Sequence, residues 1–217
     1  MTILLMPKYS GMMKTRTIDE IEAFVRMVAD AGFDPVSVGA IVEQESNRTW
    51  SPSVRGAKAF SMAPGYAIGL IQFSPDTAKA LKSSTEQMAK MSFLEQATYV
   101  PKYYRQFFGG PGRFTRPGDY YAAGWGSGVG AVDSYVLAKK GSAAYTANSA
   151  LDTNNDGEIT VGDLSASLAR IVAGGSLNGF LSFDLSEVTL GAIRARFATA
   201  GTQQQAELFG LLKWSKL

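Results

Sequence analysis

The stretch Asp34-Pro35-Val36-Ser37-Val38-Gly39-Ala40-Ile41-Val42-Glu43-Gln44-Glu45-Ser46 decides how this chain is read. An aspartate in capping position with proline at the first helical position is a helix start signal. Val38, Ile41, Val42 and Glu45 then fall at i, i+3, i+4 and i+7, so a carboxylate shares the apolar face. The 3.6-residue period turns Glu43 roughly 160° away from Glu45 and places it in solvent. Glu45 is expected against apolar side chains, where loss of hydration penalises the charged form. Its pKa then rises, and the carboxyl stays protonated near neutral pH as a general acid.

Composition narrows the remaining chemistry. Nearly half of the 217 residues are apolar, enough for a sizeable core, and one compact domain with an extension is expected. A net charge of +2 without any Lys/Arg block gives no nucleic-acid footprint. The chain has no cysteine and no histidine, which excludes thiol chemistry, histidine-based triads and the common zinc sites. Carboxylates, hydroxyls or a hard cation are left. The segment Met1 to Lys8 has a short apolar run, no basic lead and a proline, so it reads as neither a signal peptide nor a membrane span.

Helix punctuation dominates and strand alternation is scarce. Thr17-Ile18-Asp19-Glu20 is a capping box, with Ile18, Ile21, Val25 and Val28 as the expected buried stripe and Gly32 as the stop. Residues 47–66 form a Ser/Pro/Gly-rich stretch too long for a simple connector, and it is placed along a substrate cleft. Ser74-Pro75 opens a short helix. Ser92 and Glu95 cap another, with Tyr99, Tyr103 and Phe107 repeating every fourth residue and Pro101 expected to kink or shorten it. Asp119 to Trp125 starts a further turn or two before Gly126, Gly128 and Gly130, a region read as a helix elbow.

Glu45-Ser46, then Ala67-Ile68-Gly69-Leu70-Ile71-Gln72-Phe73-Ser74-Pro75-Asp76-Thr77-Ala78, then Tyr120-Tyr121-Ala122-Ala123-Gly124 form an ordered set. This set resembles the lysozyme-like lytic transglycosylases, in the version found in bacteriophage virion and tail proteins, over roughly residues 16–138. The resemblance implies a mainly α, goose-type lysozyme-like fold and cleavage of peptidoglycan glycan strands between N-acetylmuramic acid and N-acetylglucosamine. In that family one glutamate serves as acid and then as base, and the sugar's own 6-hydroxyl displaces the bond to leave a 1,6-anhydro end. Glu45 takes that role by position, and no cofactor is implied for catalysis. Ser46 matches a residue held to orient the muramic acid acetamide or the glutamate. Gly69, Leu70, Ile71 and Gln72 match the cleft-wall motif, with Ile71 in place of a common methionine; Gln72 either binds substrate or closes the next helix. Tyr121 matches the tyrosine that hydrogen-bonds the glutamate, while Ala122 replaces the asparagine that usually follows. A hydrolytic muramidase and a non-catalytic wall-binding virion module are the alternatives. The resemblance places the protein in a phage virion, or released to the bacterial periplasm and wall.

No second carboxylate for a two-carboxylate glycosidase stands out; Asp76, Asp119 and Asp133 are candidates by count. A separate signal runs from Asp152 to Asp163. Asp152, Asn154, Asp156 and Asp163 occupy positions 1, 3, 5 and 12 of an EF-hand-like loop, with Gly157 at 6, the Glu158 carbonyl at 7 and Ile159 at 8. Structural calcium is the expected occupant, although position 12 is aspartate instead of glutamate and no convincing incoming helix precedes the loop. The expected organisation is a lysozyme-like domain over 1–148, the loop with its outgoing helix over 149–173, and a linker after Gly174-Gly175 with a helical tail over 174–217. Ile193, Phe197, Phe209, Leu212 and Trp214 mark that tail, which either packs back or docks on another virion or tail protein.

Overall fold

The computed structural model describes residues 2–58 and 65–185, and helices dominate it. The chain begins with β1 (Thr2–Pro7), α1 (Ser10–Thr15), α2 (Ile18–Asp30) and α3 (Pro35–Glu45). A hairpin of β2 (Arg55–Lys58) and β3 (Tyr66–Ile68) follows, then α4 (Pro75–Ala80), α5 (Thr85–Met88), α6 (Phe93–Ala97), α7 (Tyr99–Phe108) and α8 (Pro117–Gly124). The last described part holds β4 (Val136–Lys139), α9 (Ala143–Asn148), β5 (Glu158–Thr160), α10 (Val161–Ser176) and β6 (Phe180–Leu185). None of the described helices is long and apolar enough to cross a membrane.

The helix starts form as their sequence chemistry dictates. Thr17 and Glu20 complete a reciprocal capping box on α2, as Ser92 and Glu95 do on α6. Asp34 caps α3 by accepting from the Val36 and Ser37 amides at 3.0 and 2.8 Å. The α2 stripe differs at one end: Ile18 is exposed, and Phe24 joins Ile21, Val25 and Val28 in the core. Ile18 is the first helical residue, where the face has not yet turned inward. Pro101 splits the Ser92–Phe108 run into α6 and α7, because it has no N–H for the bond across the junction at Thr98.

Two aromatic groups organise the core. Trp50 contacts Phe24, Phe93 and Tyr9, while Phe33, Tyr104, Phe114 and Tyr120 pack together at centroid distances of 4.9 to 6.4 Å. α10 lies across α8 and α3, so Val161, Leu164, Leu168 and Val172 share the core with the helix that carries Glu45.

Three expectations are corrected here. Gly174 and Gly175 are not a linker but part of α10; a Cβ on Gly175 would lie 2.6 Å from the Tyr9 ring, so the glycine permits close helix packing on the N-terminal segment. The chain then forms β6, which pairs antiparallel with β1 from Thr2↔Leu185 to Pro7↔Phe180. β1 reads as a strand because Leu4 and Met6 point into the core while Ile3 and Leu5 do not. The glycine cluster after α8 is not a helix elbow: all three glycines have positive φ and lead to β4. The helical tail expected beyond Leu185, with Ile193, Phe197, Phe209, Leu212 and Trp214, lies outside the described residues, as do residues 59–64 of the long 47–66 stretch.

Candidate active site

A cleft of about 570 Å³ opens at the C-terminal end of α3. Glu45 is the last residue of that helix and lines the cleft, with Ile41 one turn earlier beside it. The helix stops because Ser46 caps it and the chain enters a tight turn in which Asn47, Arg48 and Trp50 all hold positive φ. Glu45 is half-buried, and its carboxyl has no hydrogen-bond partner among the described residues. Loss of hydration pushes its pKa up to about 7.

Glu43 does not face solvent. It is 5 % exposed, accepts from the Trp50 indole N–H at 2.6 Å and the Gly11 amide at 3.1 Å, and is reached by the Ser10 hydroxyl at 3.3 Å. The side of α3 opposite Glu45 is covered by α1 and by the turn that carries Trp50, so both faces of this helix are inside. Helical period placed the two glutamates on opposite faces correctly, but it cannot reveal that a second layer covers the outer one. The hydrogen bonds make Glu43 a structural anchor and leave Glu45 as the unpaired carboxyl.

The cleft brings together Glu45, Ile71, Gln72 and Tyr121. Ser46, Gly69 and Leu70 lie behind its wall. The Ser46 hydroxyl accepts from the Trp50 amide at 2.9 Å, closing the turn after α3, and Leu70 is fully buried. Gln72, held at φ 58°, donates its amide to the Gly69 carbonyl at 3.0 Å and so braces the motif from within; its own carbonyl oxygen is buried without a partner among the described residues. Behind Gly69 stands Gln96, which the sequence reading did not single out. Its side chain accepts from the Leu70 amide at 2.8 Å and donates to the Pro52 and Met88 carbonyls at 3.0 and 2.9 Å. Gly69 has φ 80°, and a Cβ there would fall 2.1 Å from the Gln96 oxygen, so glycine is required on both counts.

The rest of the wall is aromatic. Tyr103, Tyr104, Tyr120 and Trp125 line the cleft with Tyr121. Tyr103 was visible only as part of a helical aromatic stripe, and Tyr104 gave no signal. Burial first, then the Glu45 charge, raises the Tyr103 and Tyr121 hydroxyls above their ordinary range; burial, then Tyr103 and Glu45, does the same to Tyr104. These hydroxyls remain neutral donors at any working pH. The far wall comes from α9, through Ala143, Ala144, Ala147 and Asn148.

None of the three counted aspartates joins the cleft. Asp119 is fully buried and accepts from the Thr115, Arg116 and Gly130 amides, which pins the glycine turn to the start of α8. Asp133 pairs with Arg116, and Asp76 sits in the first turn of α4. Among the described residues lining the cleft, Glu45 is the single carboxylate.

The 152–163 loop keeps its turn but divides its ligands. Asp152 accepts from the Asp156 and Gly157 amides, and Asn154 also accepts from Asp156, so the short side chains of positions 1 and 3 gather around the Gly157 bend. Asp163 is engaged elsewhere: it accepts from the amides and hydroxyls of both Thr153 and Thr160, at 2.6 to 3.0 Å. It clasps the loop and caps α10. Among the described residues, no three acidic side chains converge as a ready ligand set. The oxygen donors of Asp152, Asn154, Asp156 and the Glu158 carbonyl still suit a hard cation by their chemistry. The loop also touches the cleft's far wall, since the Tyr145 hydroxyl of α9 donates to Asp152 at 2.7 Å.

Compared with protein-family models, curated proteins and solved structures, this chain matches none.

Proposed function

We propose that the protein is a peptidoglycan lytic transglycosylase, cleaving the β-1,4 bond between N-acetylmuramic acid and N-acetylglucosamine with Glu45 as both acid and base. The carrying observation is a lone, half-buried carboxyl with a pKa near 7 in an aromatic cleft. A group with that pKa gives up and takes back a proton with little penalty at neutral pH, as dual use requires. Glu45 would protonate the glycosidic oxygen as the bond to the muramic acid anomeric carbon breaks. The carboxylate would then take the proton of the 6-hydroxyl as that oxygen bonds to the same carbon. The absence of a second carboxylate among the described cleft residues favours this over a two-carboxylate hydrolase. The motif resemblance supplies the substrate class and, with it, action on the wall by a phage.

Mass spectrometry of muropeptides released from purified sacculi tests the proposal. Products ending in 1,6-anhydro-muramic acid are expected; products with reducing ends alone would assign a hydrolytic muramidase, and no release would assign a non-catalytic wall-binding module.

We further propose calcium as the occupant of the 152–163 loop, held by Asp152, Asn154, Asp156 and the Glu158 carbonyl. Binding confined to the folded state stabilises by roughly 2.7 kcal/mol at about a hundred times the dissociation constant. For a chain of this size the melting temperature should rise by about 5–10 °C. Asp152→Ala combined with Asp156→Ala should lower the baseline, since Asp152 holds Tyr145 and Gly157, and should also abolish the calcium response. Equal melting temperatures of the wild type in calcium and in chelator would remove the metal from the account.

A further inference from the structure

Four tyrosines line the cleft, and their hydroxyls are committed differently. Tyr103 donates to the Ala123 carbonyl at 2.7 Å. Tyr120 accepts from the Asp34 amide at 2.8 Å. The Tyr104 hydroxyl is fully buried and has no partner among the described residues. Its ring is fixed by Phe33, Phe114 and Tyr120 at 5.3, 4.9 and 5.6 Å. A buried hydroxyl without a partner is destabilising, so its presence in a rigid cleft wall calls for a use. The same cleft holds the complementary deficit, because the Glu45 carboxyl has no donor among the described residues.

We propose that the Tyr104 hydroxyl is the positioning donor that pairs with Glu45 when that carboxyl is ionised. Tyr104 is thus a positioning residue acting through Glu45 and does not exchange protons with substrate. The consequence for turnover rests on the reading of Glu45 as acid and base. The pairing itself does not, since it concerns two side chains of the free protein. A donor that engages only the charged form stabilises the carboxylate left after protonation of the leaving oxygen, and returns to its unpaired state when the proton comes back.

The test is a carbon-13 NMR titration of the Glu45 carboxyl in the wild type, Tyr104→Phe and Tyr121→Phe, without substrate. Tyr104→Phe should move the Glu45 midpoint up by about one pH unit, the scale of a single hydrogen bond to the charged form. Below that midpoint its melting temperature should not fall, because the hydroxyl removed has no partner there. Turnover on sacculi should drop about tenfold below the midpoint, where Glu45 starts as the unpaired acid and the barrier alone loses the bond, and should change little above it. As a second reading needing no variant, the Tyr104 ring carbon bearing oxygen should shift in the wild type with the Glu45 midpoint. An unmoved midpoint in Tyr104→Phe, or a larger shift in Tyr121→Phe, would overturn the proposal. Because the titration uses no glycan, these outcomes stay separate from failure of the muropeptide assay.

Discussion

Glu45→Gln should reduce wall lysis by roughly a hundredfold to ten-thousandfold, the range general acid catalysis supplies. Glutamine keeps the shape of the side chain and cannot give a proton to the leaving oxygen. The variant should also be more stable than the wild type, by a margin that grows from about pH 4.5 to 7 and is complete above that. Burial lifts Glu45 from 4.5 to about 7, so the folded state holds a proton that the unfolded state has released between those values. Below about pH 4.5 both states are protonated and nothing is lost. As pH rises through 7 the folded protein must carry a desolvated charge, at a cost on the order of 2–3 kcal/mol. Glu45→Gln removes that cost, so its melting temperature should exceed the wild type's at pH 8 and match it at pH 4. Wild-type activity should fall above pH 7 as the acid form disappears. Retention of more than about a tenth of activity in the variant would mean that Glu45 is not the acid.

The placement of Glu45 was legible because it depended on local rules alone: a proline-started helix, a 3.6-residue period and one carboxylate on the apolar stripe. Caps on α2, α4 and α6 were legible for the same reason, each being settled within four residues. Glu43 was misplaced because burial on the outer face of α3 depends on Gly11 and Trp50, which come from elsewhere in the chain. β6 was read as linker because its register belongs to β1, almost the whole described chain away, and because glycines inside α10 imitate a break. The cleft's second wall escaped notice because α9 is short, alanine-rich and has no periodic signature. Asp163 holds the twelfth loop position by spacing, while its bonds to Thr153 and Thr160 are visible only in the folded loop. Tyr104 and Gln96 are intelligible only in three dimensions, one by the bond it lacks and the other by the bonds it makes.

Gln96→Ala should be among the most damaging single substitutions outside the cleft. The side chain is fully buried and satisfies three backbone groups from three separate segments: Leu70, Pro52 and Met88. Alanine leaves the buried Leu70 amide and the Pro52 carbonyl without partners, each at roughly 1–3 kcal/mol, takes one of two donors from the Met88 carbonyl, which keeps the Met91 amide at 3.2 Å, and opens a cavity besides. Partial relaxation and water entry bring the expected loss to about 3–5 kcal/mol, or about 10–15 °C in melting temperature. Gln96→Leu refills the volume without the hydrogen bonds. It should recover little, which separates the polar contribution from packing. Any variant that stays folded should show a higher KM with a smaller change in kcat, because Leu70 fixes the turn that presents Ile71 and Gln72 to the cleft while Glu45 stands on a different helix. Chemical denaturation together with steady-state lysis would measure both effects. A loss below about 1 kcal/mol would show that water or a shifted backbone replaces the amide, and that the cleft wall is held by Gln72 and the hairpin instead.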